Sequence, residues 1–475
     1  MRKMGGFCGL LIFAFLLAGC RENYLAEKEF YKANKVLKSI KTSDLKAKGV
    51  QAYEAPIAAF QNVVDKFPST PKALESLFTI ADLQFNERDL EASRQTLQEV
   101  IRNFPAFHSK TAQARFRIAQ IYEFEGLWKE AEEAYWDTAE YEPLDQTGLY
   151  APIQVNLHYI KAGDSLAQLG AYGRALGHYY KLLKQIGPIQ PSAGVRSYVA
   201  LTYSVNQQDS KAVEEWLSIF REFSQTPVAP FALVTAAETY SRNGDLGEAV
   251  KIYSTFLNTY PHHPLAAKMT IRLALLHHQK KEFAKEREWL NKVLDRYFTK
   301  DVDVLKRADV RFLIGKSCQD EGLWTEAERI YREIEHDYPK SPAALQIPFQ
   351  VARHYKAEGQ PEKAKSVLDD AIRRYVALGK GHPETQLERY VRRLVNLAYA
   401  KEGDWNQVLA NLDEDMKLEK RVAQKGQTLL YKALITEKQL QDKKQALDLY
   451  RDFLAQYPNH PLTGIAKGHL EALTK

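Results

Sequence analysis

Gly322-Leu-Trp-Thr-Glu-Ala-Glu-Arg-Ile-Tyr331, followed by Tyr338-Pro339, is the stretch of sequence that decides the fold. Its small residue, Ala327, precedes an aromatic residue by four positions and a proline by twelve. The pattern returns along the chain, most clearly in Gly126–Tyr135 with Pro143, Gly244–Tyr253 with Pro261, and Ala446–Tyr450 with Pro458. A pattern that recurs every few tens of residues indicates an array of similar structural units.

The small residue of this pattern gives the period of the repeat. The spacings are 38, 44, 37, 37, 37, 41, 37, 44 and 38 residues when the pattern is anchored on Ser93, Ala131, Ala175, Ala212, Ala249, Glu286, Ala327, Ala364, Val408 and Ala446. Glu286 and Val408 depart from the pattern because neither is small. The spacing predicts about ten units between residues 51 and 460.

Three features set the predicted boundaries of the array. Turn-forming residues cluster at both 44-residue spacings, which predicts bends near 144–151 and 377–385. Residues 461–475 are predicted to form a capping helix, because the last unit of a repeat array must cover its apolar face. Residues 20–50 are predicted to form a lipidated N-terminus and a basic lead-in helix.

These motifs resemble the second helix of the tetratricopeptide repeat (TPR). Pairs such as Ala119 with Tyr122 and Ala352 with Tyr355 resemble its first helix. The resemblance implies an all-α superhelical solenoid of helix-turn-helix units that binds partner segments on its concave face. Endings such as Tyr457-Pro-Asn-His-Pro461 are similar to those of periplasmic repeat proteins, namely the BamD-type outer-membrane assembly lipoproteins and the CpoB-type periplasmic TPR proteins.

The composition is that of a chain that folds. Of the 475 residues, 45% are hydrophobic and 27% are charged, which argues against a disordered chain and against a protein with many membrane spans. The formal net charge of +6 is small for this length, so we expect no general attraction to nucleic acid. The 3 cysteines are too few for a disulfide framework.

The first twenty residues resemble a bacterial lipoprotein signal. A short basic segment precedes the apolar run Phe7–Leu17, which is too short to be a stable span, and Leu17-Ala-Gly-Cys20 resembles the lipobox. We therefore predict that residues 1–19 are a signal peptide and that Cys20 carries the lipid, including palmitate-type acyl chains. The next residue, Arg21, is not acidic, which implies the outer membrane, facing the periplasm. A plain secretory signal and an uncleaved anchor are the alternatives.

No motif in the sequence predicts catalysis. Gly315-Lys-Ser317 resembles the end of a phosphate-binding loop, but Val310 occupies the position that needs glycine. The histidine pairs at 262–263 and 277–278 lack the spacing of a helical metal site, so we interpret them as solvated turn and surface residues. We therefore predict no enzymatic activity, no cofactor, no metal and no small-molecule substrate.

Aromatic residues recur at one position of four predicted first helices, three residues before the small residue of three of them; they are Phe78, Phe116, Phe312 and Phe349. The resemblance to TPR proteins places this position on the side that lines the concave groove. We predict that these rings bind partners, together with Lys316 and Arg353 one turn further on. Packing between repeats is the alternative, because aromatic stripes at helical spacing usually belong to the core.

These observations favour a membrane-anchored interaction scaffold. The leading hypothesis places it in a bacterial envelope assembly or export complex, with other envelope proteins as partners and with attachment to the membrane through the N-terminal lipid. A TPR scaffold for exopolysaccharide synthesis and export is the alternative. A peptidoglycan-active enzyme is a remote alternative, which would need carboxylates converging in a pocket.

Overall fold

The computed structural model describes residues 5–40, 49–298, 304–382, 385–419 and 421–474. Within these ranges the chain forms helices and turns and contains no β-strand. The prediction of an all-α fold is therefore confirmed. Residues 1–4 of the predicted signal peptide lie outside the described residues, and so does the side chain of Cys20.

The chain divides into two compact units, Met1–Pro261 and His262–Lys475. The described part of the first unit contains a 3-10 helix, Gly49–Tyr53, and the helices α1 (Gly5–Ser39), α2 (Glu54–Lys66), α3 (Pro71–Glu87), α4 (Leu90–Asn103), α5 (His108–Glu125), α6 (Trp128–Tyr141), α7 (Gln146–Ala162), α8 (Ser165–Ile186), α9 (Gln190–Val205), α10 (Asp209–Phe223), α11 (Val228–Arg242) and α12 (Leu246–Thr259).

The described part of the second unit continues in the same manner. Its helices are α13 (Ala266–Gln279), α14 (Phe283–Arg296), α15 (Val304–Glu321), α16 (Trp324–Asp337), α17 (Pro342–Ala357), α18 (Pro361–Lys380), α19 (Gln386–Glu402), α20 (Trp405–Leu418), α21 (Val422–Lys438), α22 (Lys443–Gln456) and α23 (Thr463–Thr474). In each unit successive helices pair through short turns.

The lead-in helix α1 packs onto the first helices of the array. Ala26 and Ala33 are buried, and the ring of Phe30 meets that of Phe60 in α2 at a centroid distance of 5.5 Å. No helix within the described ranges is both long and apolar enough to cross a membrane.

The second helix of a pair is held by the small residue and the tyrosine that follows it. Ala131 and Ala327 are fully buried, which lets the first helix approach closely. The tyrosines are among the largest fully buried side chains of the described residues; they are Tyr135, Tyr179, Tyr253, Tyr331, Tyr375 and Tyr450. Their burial supplies much of the apolar contact within each pair.

The turns within the pairs have a local cause. Gly126 and Gly322 adopt φ angles of 80° and 90°, in the left-handed region that glycine enters without a steric penalty. In other pairs an aspartate caps the second helix by accepting the backbone N–H three residues on; these are Asp89, Asp164, Asp245, Asp404 and Asp442.

Both 44-residue spacings correspond to long second helices. Helices α8 and α18 have 22 and 20 residues, whereas α6 and α16 have 14. The Tyr179 hydroxyl donates to the Leu149 carbonyl at 2.6 Å, and the Tyr375 hydroxyl donates in the same way to the Leu345 carbonyl. Both carbonyls belong to residues three positions before a proline inside the first helix. Because proline has no backbone N–H, it disturbs the helical hydrogen bonding there.

Helix α18 has two buried small residues that match the repeat. Ala364 follows the turn glycine Gly359 by five residues, as Ala327 follows Gly322, and Ala371 precedes Tyr375 by four residues, as Ala175 precedes Tyr179. Residues 144–145 form only the end of a short turn, so the extra length lies in α8. Residues 383–384, within the second predicted bend, lie outside the described residues, and both bends stay predictions.

The final helix packs against its predecessor. Ala466 of α23 is fully buried in a cluster with Tyr450 and Phe453 of α22. The role of residues 461–475 as a cap stays a prediction.

Candidate functional site

Three of the four predicted aromatic residues place their rings beside a tyrosine in the second helix of their own pair. Phe116 is only 9% exposed, and its ring lies 5.3 Å from that of Tyr135, so it belongs to the core. Phe312 and Phe349 are half-buried, with ring centroids 5.9 Å from Tyr331 and 6.4 Å from Tyr375. The structure therefore leaves Phe116 little surface with which to contact a partner.

Phe78 carries two cations over its half-buried ring. Lys110 Nζ lies 5.7 Å and Arg117 Cζ 5.1 Å from the ring centroid. Arg117 also forms an ion pair with Asp82. Phe78 and Phe116 belong to the first unit, whereas the other four predicted residues belong to the second.

Phe349 and Arg353 line the same cavity in the second unit. The cavity has a volume of about 540 Å³ and is formed by the end of α17, the start of α18 and the end of α19. Phe349, Ala364 and Leu368 give it an apolar floor. This volume lies within the range of pockets that hold small organic groups, which are mostly apolar with a few polar groups.

The rim of this cavity is basic. Arg353, Lys356, Lys365 and Lys401 contribute four cations, against the carboxylates of Glu362 and Glu402. Arg353 pairs with Asp320 at 3.3 Å. Among the described residues, none of the three lysines lies within 4.0 Å of a carboxylate oxygen, so the rim presents positive charge to the solvent.

Two residues that line the cavity, Gln350 and Glu402, each have a buried side-chain oxygen. Gln350 Oε1 and Glu402 Oε1 are buried, and neither has a hydrogen-bond partner within the described ranges. Burial, with repulsion from Asp369, raises the pKa of Glu402. A buried acceptor without a donor is costly, so a donor that reached either oxygen would stabilise it.

Lys316 lies outside this cavity, on the half-buried side of α15. The neighbouring Gly315 is packed so tightly that an added Cβ would lie 2.6 Å from Tyr331 Cε1. Gly315 therefore serves close helix packing, and the resemblance of this tripeptide to a phosphate-binding loop has no structural counterpart.

Two tryptophans stack on histidines between neighbouring pairs. Trp128 at the start of α6 lies parallel to His158 of α7, with ring centroids 3.3 Å apart and planes at 5°. Trp324 at the start of α16 stacks on His354 of α17 in the same way, at 3.6 Å and 10°. Burial lowers the pKa of His158. Each stack fills the space between a second helix and the next first helix.

Comparison with known proteins identifies the repeat. Three segments of the chain, residues 234–299, 75–106 and 427–460, match models described as tetratricopeptide repeat. These three segments are tetratricopeptide repeats. Together with the described helix pairs, these matches confirm the predicted TPR fold class. No curated protein matches the chain.

Several solved TPR structures are similar to parts of this chain. TPR-like repeats of a putative kinesin light chain from Podosopora anserina are 16% identical, with a TM-score of 0.32, and the match covers 40% of this chain and 94% of that chain. A point variant of the same repeats is 17% identical, with a TM-score of 0.32 and coverages of 40% and 93%. A TPR protein from Parabacteroides merdae is 14% identical, with a TM-score of 0.30 and coverages of 62% and 99%.

One TPR pair places a carboxylate where a small residue is usual. Glu286 is 1% exposed and accepts a hydrogen bond from His278 Nδ1 at 2.9 Å. His277 is 6% exposed and lies 2.6 Å from Glu282. The interpretation of this histidine pair as solvated surface residues is therefore wrong for His277. No group of three metal-ligating side chains occurs among the described residues.

Most of the cavity residues leave no signal in the sequence. Lys356, Lys365 and Lys401 lie on three different helices and follow no shared spacing. The Trp–His stacks did leave a signal, because Trp128 and Trp324 are separated by the same number of residues as His158 and His354. Aligning these two segments would have revealed the stacks.

Proposed function

We propose that this chain is a lipid-anchored interaction scaffold in a bacterial envelope assembly or export complex. TPR repeats imply protein–protein interaction, and TPR proteins are generally scaffolds without enzymatic activity. The observation that best supports the proposal is the cavity lined by Phe349 and Arg353. Both residues are predicted from the sequence to bind partners, and basic side chains surround the cavity. Partners are segments of other envelope proteins.

The lipid anchor is supported by the sequence around Cys20. The motif Leu17-Ala-Gly-Cys20 follows a short apolar run, and a diacylated cysteine binds a bilayer stably. We propose attachment at the outer membrane, facing the periplasm. Cys20→Ala is expected to release the protein from the membrane fraction or to trap its precursor. Mass spectrometry that finds an unmodified Cys20 in the mature protein would contradict the anchor.

The scaffold function is tested by site-specific photo-cross-linking in living Gram-negative cells. A benzophenone amino acid replaces Lys356 at the cavity or Arg332 on α16, which is exposed and distant in sequence from the cavity. We expect discrete adducts with envelope proteins from Lys356 and few from Arg332. Equal adducts from both positions, or none from either, would refute a scaffold function at this site.

A second comparison separates binding from folding. Phe349→Ala and Phe312→Ala each remove a half-buried ring that packs on a tyrosine, but only Phe349 lines the cavity. Both variants should lose stability, since truncation of a packed phenylalanine costs about 3 to 5 kcal/mol when burial is complete. Only Phe349→Ala should also lose the adducts formed from Lys356.

A further inference from the structure

The cavity lies at a position that other repeats fill with their own side chains. In two pairs a tryptophan stands two residues after the turn glycine and stacks on a histidine of the next first helix, as in Trp324 with His354. That histidine precedes by five residues the next turn glycine, Gly359. The stack closes the space between the two helices.

The pair formed by α17 and α18 lacks both members of this stack. The residue two after Gly359 is Pro361, and the residue five before Gly403 is Ala398. Pro361 lines the cavity, together with Glu362 and Lys365 from the start of α18 and with Lys401 and Glu402 from the end of α19. The cavity of about 540 Å³ therefore opens between the same two helix ends that the tryptophan and histidine bridge elsewhere.

We propose that this cavity takes a tryptophan side chain from an acidic segment of a partner protein. The proposal rests on the proposed scaffold function and names the chemistry of the partner. An indole is planar and apolar, and it would occupy the place that Trp324 occupies one pair earlier.

The polar groups of the wall select the same ligand. Indole carries one N–H donor and no acceptor, so it can donate to one of the two buried oxygens that lack a donor among the described residues, Gln350 Oε1 or Glu402 Oε1, once a side-chain rotation brings that oxygen to the cavity surface. A phenylalanine ring would leave both oxygens without a donor. Tryptophan is therefore preferred to phenylalanine at this position.

The rim selects the sequence around that tryptophan. Four cations, Arg353, Lys356, Lys365 and Lys401, surround the opening against two carboxylates. Carboxylates on either side of the inserted residue would meet this positive field, whereas a basic segment would be repelled. The interaction should weaken with salt, because the lysines of the rim are exposed to solvent.

The test uses a defined probe peptide, acetyl-Asp-Glu-Trp-Glu-Asp-amide with 5-fluorotryptophan, titrated with the full chain in detergent and observed by fluorine NMR. We expect a saturable shift of the fluorine resonance. Replacing the four acidic residues by lysine, or the tryptophan by fluorophenylalanine, should weaken binding about tenfold or more.

The matched variants are Pro361→Trp and Leu246→Trp. Both place a tryptophan two residues after a turn glycine, but only Pro361 lines the cavity. Pro361→Trp fills the cavity from within and should abolish the saturable shift, whereas Leu246→Trp should bind the probe as the wild type does. Unchanged binding by a folded Pro361→Trp variant, or equal binding of the lysine-flanked peptide, overturns the proposal.

A charge-reversal variant keeps the test informative where Pro361→Trp fails to fold. Lys356→Glu with Lys365→Glu should weaken the acidic probe about tenfold and improve the lysine-flanked peptide, and an unaltered preference overturns the proposal. Failure of the probe while Lys356 still forms envelope-protein adducts rejects only the tryptophan ligand. Failure of both rejects the scaffold function at this site.

Discussion

Replacing Gly315 by alanine measures how closely the two helices of a TPR pair approach. Glycine inside a helix normally costs about 0.5 to 1 kcal/mol relative to alanine, so this change would ordinarily stabilise the chain. At Gly315, however, the added Cβ would lie 2.6 Å from Tyr331 Cε1, 3.0 Å from Tyr331 Cδ1 and 3.3 Å from Ile330 Cγ2.

This steric clash decides whether Gly315→Ala raises or lowers the free energy of unfolding. Carbon atoms in contact prefer a separation of about 3.5 to 4.0 Å, so the Tyr331 ring would have to move by roughly 1 Å. That ring is fully buried, and its hydroxyl donates to Gln319 Oε1 at 3.0 Å. Overpacking of this kind costs about 1 to 3 kcal/mol. After the gain in helix propensity, we expect Gly315→Ala to destabilise the protein by about 0.5 to 2 kcal/mol.

Gly173→Ala in α8 is the matched control. It makes the same chemical change inside a helix, but apart from its chain neighbours and the backbone of its own helix no atom of the described residues lies within 4 Å of the added Cβ. It should stabilise the protein by about 0.5 to 1 kcal/mol. Urea unfolding followed by circular dichroism compares the two variants with the wild type. A Gly315→Ala protein as stable as the wild type, or more stable, would refute the close approach of α15 and α16.

Three further predictions follow from other contacts. Tyr179→Phe and Tyr375→Phe each remove the hydroxyl that donates to a carbonyl of the preceding helix and should cost about 1 kcal/mol in urea unfolding; no change would deny the bond a role in stability. Gly126→Ala and Gly322→Ala place a side chain at φ angles of 80° and 90° and should each cost about 1 to 2 kcal/mol, whereas equal melting temperatures would contradict this reasoning. The hydrogen bond from His277 lowers the pKa of Glu282 to about 2, so the stabilisation by this carboxylate is complete above its ordinary pKa and is lost as the pH falls towards 2. Glu282→Gln should therefore have a lower urea midpoint than the wild type at pH 6, and the two midpoints should converge in acid; a constant difference would exclude the ion pair as the cause.

The sequence was sufficient to predict the fold class because the residues that define the repeat lie close together in the chain. Ala327 and Tyr331 lie one helical turn apart, and Gly322 marks the preceding turn, so a single stretch predicts a whole helix and its start. Such signals need no knowledge of distant contacts. In α18 they do not single out one residue, because Ala364 follows the turn glycine Gly359 by five residues, Ala371 precedes Tyr375 by four, and both alanines are buried.

The candidate site could be predicted only in part. Phe349 and Arg353 were found through a position that repeats along the chain. The cavity itself is present because Pro361 stands where two other pairs have a tryptophan. The absence of that side chain does not produce a recognisable sequence motif. Burial of His277 likewise depends on how α13 and α14 pack, and helical spacing alone does not specify that packing.

Helix α1 continues without interruption from Gly5 to Ser39, and it is already buried against the first unit at Ala26. Ala26 lies six positions after Cys20 in this helix, a rise of about 9 Å. With acyl chains on Cys20, as proposed, the packed part of the first unit would lie about one nanometre from the lipid headgroups. A continuous helix, and not a flexible linker, would join it to the lipid. Its reach would then be set by diffusion in the plane of the membrane, so its partners would have to come to the bilayer surface.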